Sequence, residues 1–189
     1  MQFPRRYHTY AERIGRQVAD LWMSEKLTIR RVRKILRDVI GPDVRISSGA
    51  FRTTAILPNG VIKVPHDDLA IRSTFTEARI FQAVQKNKHI VQHFPASELV
   101  AVEGIPVIIQ ELVDGVAELY DNESVEAVED FGKRLGIGDV HLHNYGWGKD
   151  EQGLYPIFID CETNQRHTST TPQEVQKIST KRVRWEYPL

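Results

Sequence analysis

The stretch VRISSGAFRTTAILPNGVIKVP, residues 44–65, decides the fold of this chain. It holds three short β-prone runs, VRISSG, FRTTAIL and VIKVP, and Pro58-Asn59-Gly60 supplies turn chemistry between the last two. The pattern predicts a meander of three antiparallel strands.

Apolar residues recur at helical spacing twice before the meander, with a break between Ser24 and Thr28. Gly41-Pro42 stops the second repeat, because proline cannot continue a helix and restricts the residue before it. Residues 1–43 are therefore predicted to form two short amphipathic helices. Their apolar positions are Tyr7, Ile14, Val18, Leu21 and Trp22 in the first helix, and Val32, Ile35, Leu36 and Val39 in the second.

The meander is followed by a helix that begins at Asp67 or Thr74 and ends at Gln85. Two further strands, ELVAV and IPVIIQEL, flank a tight turn at Glu103-Gly104. In the rest of the chain, the pattern predicts a helix in SVEAVEDFGKRLG and a hairpin of YGWG and YPIFID around the loop KDEQG. A short helix is predicted to begin at Thr171-Pro172-Gln173-Glu174.

Composition excludes several classes of protein. With 189 residues, 41% hydrophobic and 26% charged, the chain can bury a core and is neither disordered nor fibrous. Lys plus Arg equals Asp plus Glu at 25 each, which excludes a uniformly basic nucleic-acid coat, although residues 1–45 carry 11 basic and 5 acidic side chains. A single cysteine, Cys161, and the lack of a signal-like or membrane-spanning run predict a soluble cytoplasmic protein with no membrane partner.

The order of the polar residues indicates a chemistry. Phosphoryl transfer from ATP needs backbone donors over the phosphates, a cation on the phosphates, oxygen ligands for Mg²⁺ and a carboxylate beside the acceptor hydroxyl. Along this chain a turn glycine, a strand lysine, a helix glutamate and a later acidic loop follow in that order.

From Val44 to Asp160 the sequence resembles the protein-kinase-like superfamily. ISSGAFRTT is similar to a glycine-rich loop with Gly49 at its centre and Phe51 at its tip, while Ser47 and Arg52 stand where the outer glycines usually are. The resemblance extends to Lys63 in GVIKV as the strand lysine, Glu77 as its helix partner, and the backbone from Gln110 through Glu111 to Leu112 as the adenine-binding hinge.

The second half of the resemblance lies in GDVHLHN and PIFIDCE. The first resembles a D-x-H-x-x-N catalytic loop, which implies Asp139 as catalytic base and Asn144 as a metal ligand. The second resembles the magnesium-binding strand end, which implies that Asp160 binds metal. Such a loop is shared with aminoglycoside and choline kinases and with atypical and small phage-encoded protein kinases.

The resemblance implies an α+β, protein-kinase-like fold: a five-stranded antiparallel N-lobe sheet with one helix, and a severely reduced helical C-lobe. Only 25 residues separate the hinge from Asp139, and no A-P-E segment follows Asp160. The predicted division is an N-terminal helical extension at 1–43, an N-lobe at 44–113 and a minimal C-lobe at 114–189.

Each motif also has a structural interpretation. Gly49 is alternatively a hairpin or bulge glycine, Lys63 a lysine that extends along the sheet surface with its ammonium in water, and Glu77 the acidic member of a capping box with Thr74. Asp139, His141 and His143 are alternatively metal ligands, although one loop supplies too few for a zinc site.

The leading functional hypothesis is an ATP- and Mg²⁺-dependent protein Ser/Thr kinase, with a host protein or the chain itself as substrate. The Thr/Ser cluster at 168–171 is a candidate for self-phosphorylation. The alternatives are a small-molecule kinase of the aminoglycoside or choline type and a pseudokinase that binds nucleotide and presents a surface to a partner. DNA binding by the basic segment RRVRKILR is a weaker hypothesis, because such helices more often form a solvated or protein-docking face.

Overall fold

The computed structural model describes residues 2–88, 90–113, 122–135, 144–151 and 153–160. They divide into two compact units. The first unit comprises residues 1–78 and 96–112, and the second comprises residues 79–95 and 113–189.

The chain begins with the two predicted amphipathic helices, α1 (Arg5–Ser24) and α2 (Ile29–Ile40). Every third or fourth residue of α1 is buried, as at Tyr7, Ala11, Ile14 and Val18, which gives the helix one apolar stripe. The helix α2 begins after Thr28, whose hydroxyl accepts from the Arg31 N–H, and ends at Gly41.

Trp22 differs from its prediction as an apolar, core-facing position. It is 41% exposed, and its Nε1 donates a 2.7 Å hydrogen bond to Asp68 Oδ1. The amphipathic spacing therefore holds through Leu21, which packs against the core, but not at Trp22, where the indole donates to a carboxylate.

Five antiparallel strands form the sheet of the first unit, which confirms the predicted α+β class with a five-stranded antiparallel sheet. The spatial order is β1-β2-β3-β5-β4. The strands are β1 (Arg45–Ser48), β2 (Arg52–Leu57), β3 (Gly60–Pro65), β4 (Ser97–Val102) and β5 (Ile105–Gln110). The predicted turn between β4 and β5 is confirmed: Glu103 and Gly104 have φ values of 50° and 84°, as a two-residue turn of the I′ type requires.

One face of the sheet packs against α1. The register aligns Ala55, Ile62 and Ile109 across three strands, and all three are fully buried in a core shared with α1 and α2. Gly15 permits close packing, since a Cβ there would lie 3.0 Å from the Val102 side chain. Because side chains alternate along a strand, Lys63 lies on the opposite face.

The helix after the meander, α3, runs from Asp68 to Gln85. Asp67 caps it, since Asp67 Oδ1 accepts a 2.7 Å hydrogen bond from the Ala70 N–H. Thr74 is thus inside the helix, where its hydroxyl donates to the Ala70 carbonyl. The alternative that Glu77 forms a capping box with Thr74 is wrong, because the helix starts well before Thr74.

The second unit contains the last part of α3, a 3-10 helix at Val91–His93, α4 (Asn122–Arg134), and a hairpin of β6 (Tyr145–Asp150) and β7 (Gly153–Phe158). These elements confirm the predicted helix and hairpin, but the strands are longer than predicted, because Lys149, Asp150 and Gly153 pair within β6 and β7 and do not lie in the connecting loop. Their shared apolar core includes Phe81, Val84, Phe94, Val128, Phe131, Tyr145 and Phe158. The rings of Phe131 and Phe158 stack at 6.2 Å, so aromatic packing joins α4 to β7.

No helix among the described residues is long and apolar enough to cross a bilayer. The predicted helix that begins at Thr171 and the cluster at 168–171 lie outside the described residues.

Candidate functional site

A buried ion pair joins β3 to α3. Lys63 Nζ donates a 2.9 Å hydrogen bond to Glu77 Oε1, and the two side chains are only 8% and 1% exposed. The interpretation of Lys63 as a lysine with its ammonium in water is therefore wrong. Burial makes removal of the carboxylate costly, because the Lys63 ammonium would lose this partner in a poorly solvated place.

Arg52 is a second cation on the same carboxylate. Its Nη1 lies 2.9 Å from Glu77 Oε2, and its side chain is 4% exposed. The same Nη1 also donates a 3.3 Å hydrogen bond to Ser73 Oγ. In the sequence, Arg52 stands out only because it occupies the position of an outer glycine of the loop. No local pattern predicts its contact with Glu77, which lies 25 positions further along the chain.

The turn between β1 and β2 contains Gly49 and Phe51, which were predicted to bind nucleotide. Gly49 is exposed and its N–H donates to the Arg52 carbonyl at 2.9 Å, while Phe51 is half-buried. An added Cβ at Gly49 would meet no described atom within 4 Å, so packing within the described chain does not require glycine there.

His66, which the sequence did not single out, holds this turn. The ring is 4% exposed and its Nε2 lies 3.0 Å from the Ala50 carbonyl, which can only accept, so Nε2 carries the hydrogen. Its Nδ1 lies 3.2 Å from Thr53 Oγ1, which is 3.3 Å from Ser48 Oγ. These hydrogen bonds connect the end of β3 to the turn between β1 and β2. The sequence could not predict them, because the residues involved meet only when the strands pair.

The predicted hinge lies at the end of β5. Gln110 is the last residue of the strand, is 1% exposed and lies on the same sheet face as Lys63 by register. Its Nε2 has no hydrogen-bond partner among the described residues. The next residue is already engaged within the unit, since the Glu111 N–H donates to the Ala96 carbonyl at 2.8 Å and its carboxylate accepts from the Ala96 N–H. Leu112 follows and is half-buried.

In the second unit the structure brings Asn144 and Asp160 together. The Asn144 carbonyl accepts from the N–H groups of Ile159 and Asp160, at 2.9 and 3.3 Å, just beyond the paired residues Tyr145 and Phe158. The two predicted metal ligands are 16 positions apart in sequence, and they become neighbours because the hairpin register places them at the same end.

The chemistry of this pair fits magnesium. Amide and carboxylate oxygens are donors that Mg²⁺ accepts, and protein magnesium sites commonly use one or two carboxylates and complete the shell with phosphates and water. No cluster of three or more His, Cys, Asp or Glu side chains suited to a metal occurs in the described part of the chain.

Asp139, the predicted base, lies outside the described residues, as do His141, His143 and Cys161. No protein-family model, curated protein or solved structure matches the chain.

Proposed function

We propose that the chain is an ATP- and Mg²⁺-dependent phosphotransferase of protein-kinase-like fold, with a reduced C-lobe and a protein Ser/Thr hydroxyl as acceptor. The observation that carries the proposal is the buried Lys63–Glu77 pair between β3 and α3 of a five-stranded antiparallel sheet. A lysine fixed in this way by a helix glutamate is the arrangement with which a kinase holds the phosphates of ATP.

Each residue has a role in this proposal. Lys63 would bind the phosphates and Glu77 would hold its ammonium in place, while the backbone from Gln110 to Leu112 would meet the adenine. Asp139 would accept a hydrogen bond from the acceptor hydroxyl and orient it for in-line attack. Asn144 and Asp160 would hold Mg²⁺, which supplies charge neutralisation on the phosphates when it is bound.

The turn at Gly49 supports nucleotide binding in a specific way. Its backbone is anchored by His66 at Ala50 and by the hydrogen bond between Gly49 and Arg52, while the position of Gly49 itself is open. An anchored turn with space above its glycine allows a phosphate to approach the backbone closely.

The test is transfer of labelled γ-phosphate from ATP with Mg²⁺ to the chain itself, to proteins of a cell extract and to small alcohols including aminoglycosides and choline. Asp139→Asn is expected to bind ATP within a few-fold of the unchanged chain and to lose about 10²- to 10⁴-fold in rate, the usual contribution of a positioned acid–base group. Asp43→Asn, an exposed turn position, is the matched control.

The acceptor that becomes labelled decides between a protein kinase and a small-molecule kinase. ATP binding without transfer to any acceptor, unchanged by Asp139→Asn, would refute catalysis and leave a nucleotide-binding interaction module. Failure to bind ATP would refute both.

A further inference from the structure

We infer that Arg52 is a positioning residue of the proposed phosphotransfer site: it fixes Glu77, and through Glu77 the ammonium of Lys63. The inference rests on the proposed function, because Lys63 is the residue expected to bind phosphate. Arg52 itself is not assigned a contact with substrate.

The strand register puts Arg52 beside Lys63. Thr54 pairs with Lys63, and Arg52 pairs with Pro65, two residues further along each strand. Residues two apart in a strand lie on the same face, so Arg52 and Lys63 are diagonal neighbours on the face opposite the α1 core. Two long cations thus extend from adjacent strands toward the same helix.

Arg52 contacts α3 at two points one turn apart. Nη1 reaches Ser73 Oγ at 3.3 Å and Glu77 Oε2 at 2.9 Å, and these residues are four positions apart on the helix. Residues at this spacing lie on one helical face. A rotation of α3 that turned Glu77 away from Lys63 would also take Ser73 away from Arg52, so the two contacts together oppose that rotation.

The two oxygens of Glu77 are divided between the two cations. Oε1 accepts from Lys63, and Oε2 faces Arg52. Oε2 forms an ion pair with Arg52 but no hydrogen bond among the described residues, so it is the charge of Arg52 that favours the orientation in which Oε1 faces Lys63. One guanidinium nitrogen, Nη1, makes both contacts with α3, so Glu77 and Ser73 are held from the same point.

The experiment compares Arg52→Met with Arg72→Met, an exposed arginine on the same helix α3. Two quantities are measured: kcat and the ATP KM for phosphate transfer, and the rate at which an amine-acylating reagent modifies Lys63 without nucleotide, followed by mass spectrometry. We expect Arg52→Met to lower kcat by about 10- to 100-fold, the usual cost of removing a group that orients a functional one. The ATP KM should change less, and Lys63 acylation should become several-fold faster.

Two more conservative variants distinguish a loss of Lys63 positioning from a loss of folding. Arg52→Lys keeps the charge near Glu77 and should recover most of the kcat lost in Arg52→Met, but not all, because an ammonium on a flexible stem is held in place less well than a planar guanidinium. Ser73→Ala removes the second contact without changing any charge and should lower kcat and raise Lys63 acylation in the same direction but to a smaller extent. These two variants decide the question even if Arg52→Met does not fold.

The outcomes distinguish this inference from the proposed function. Unchanged kcat and unchanged Lys63 acylation in the folded variants of Arg52 and Ser73, beside an active unaltered chain, would overturn the role of Arg52 and leave the phosphotransferase intact. An inactive unaltered chain would overturn the proposed function. The acylation rates would then still decide whether Arg52 positions Lys63, since unchanged rates would refute it.

Discussion

Glu77 is a carboxylate shared by two buried cations. It is 1% exposed and contacts two buried cations, Lys63 and Arg52, through different oxygens. Removing one cation leaves Glu77 with the other, whereas removing the carboxylate deprives both cations of it. Substitutions of Glu77, Lys63 and Arg52 should therefore lower the free energy of unfolding by different amounts.

We expect Glu77→Gln to lower the free energy of unfolding by about 3–5 kcal/mol, the usual cost of breaking a buried ion pair from one side. Lys63→Met should cost less, roughly 1–2 kcal/mol, because Arg52 still faces the carboxylate and methionine fills a similar volume. Chemical denaturation of both variants measures the difference. The double variant Lys63→Met/Arg52→Met should cost more than the sum of its single changes, since it leaves Glu77 without either cation.

Equal losses for Glu77→Gln and Lys63→Met, or a strictly additive double variant, would contradict the sharing of Glu77. Activity is not needed for this measurement.

At the residue scale the sequence predicted Lys63 and Glu77 but missed Arg52 and His66. The first two belong to motifs with a fixed order along the chain, which a linear pattern can detect. Arg52 and His66 act through contacts that exist only once β2 and β3 pair and α3 packs beside them. A single sequence carries no pattern for such partners, because neither periodicity nor turn chemistry depends on them.

Among the elements, the β6–β7 hairpin has the most direct bearing on chemistry. Just beyond the pairing of Tyr145 with Phe158, the Asn144 carbonyl accepts from the N–H groups of Ile159 and Asp160. A one-residue slip of the register would break these contacts between the proposed ligands and turn the side chains of one strand to the opposite face. The aromatic side chains buried in the core of the second unit oppose such a slip, because it would move them out of that core.

ATP is expected to raise the thermal unfolding temperature more with Mg²⁺ than with a chelator, because a ligand that binds the folded state stabilises it by mass action. Asp160→Ala should remove most of this dependence on Mg²⁺, while the exposed Asp43→Ala should keep it. Differential scanning fluorimetry across ATP concentrations makes the comparison. A metal-dependent shift of the same size in Asp160→Ala would reject Asp160 as a ligand.

The elements themselves were largely predictable. The strands of the meander, the Glu103-Gly104 turn and the helices α1, α2 and α4 follow from periodicity and turn residues, which are local signals. The start of α3 was left between Asp67 and Thr74, since both are good capping residues, and the Asp67 cap settles it in the structure.

On the scale of the whole molecule, the two compact units interrupt each other along the chain. The first unit takes residues 1–78 and 96–112, so the boundary falls within α3 and the chain returns to the sheet for β4 and β5. The predicted division, with boundaries at residues 43 and 113, instead treats each part as one continuous stretch of the chain. Composition and periodicity predict that β4 and β5 are strands. They do not predict which sheet the two strands join, because the sequence pattern of a strand does not depend on its partner.

The helix α1 packs chiefly on β5 and β4, which are the last strands of its unit along the chain. A chain that ends after Pro95 lacks both strands, so we expect the backbone amides of α1 to exchange with solvent much faster in it than in the full chain. Hydrogen–deuterium exchange with peptide-level mass spectrometry measures this. Equal protection of α1 in the shortened and full chains would show that the helix does not depend on these strands.

The placement of β5 between β3 and β4 has a consequence for synthesis on the ribosome. One edge of β3, with its β-branched run GVIKV, stays without a neighbour until β5 has been translated. At 5–20 residues per second the 45 residues from His66 to Gln110, the end of β5, take roughly 2–9 seconds. During that interval the nascent chain presents an open, apolar strand edge, which is the kind of surface that pairs with other chains. Slower translation would lengthen this exposure, and chaperones that bind extended apolar segments would find their target here.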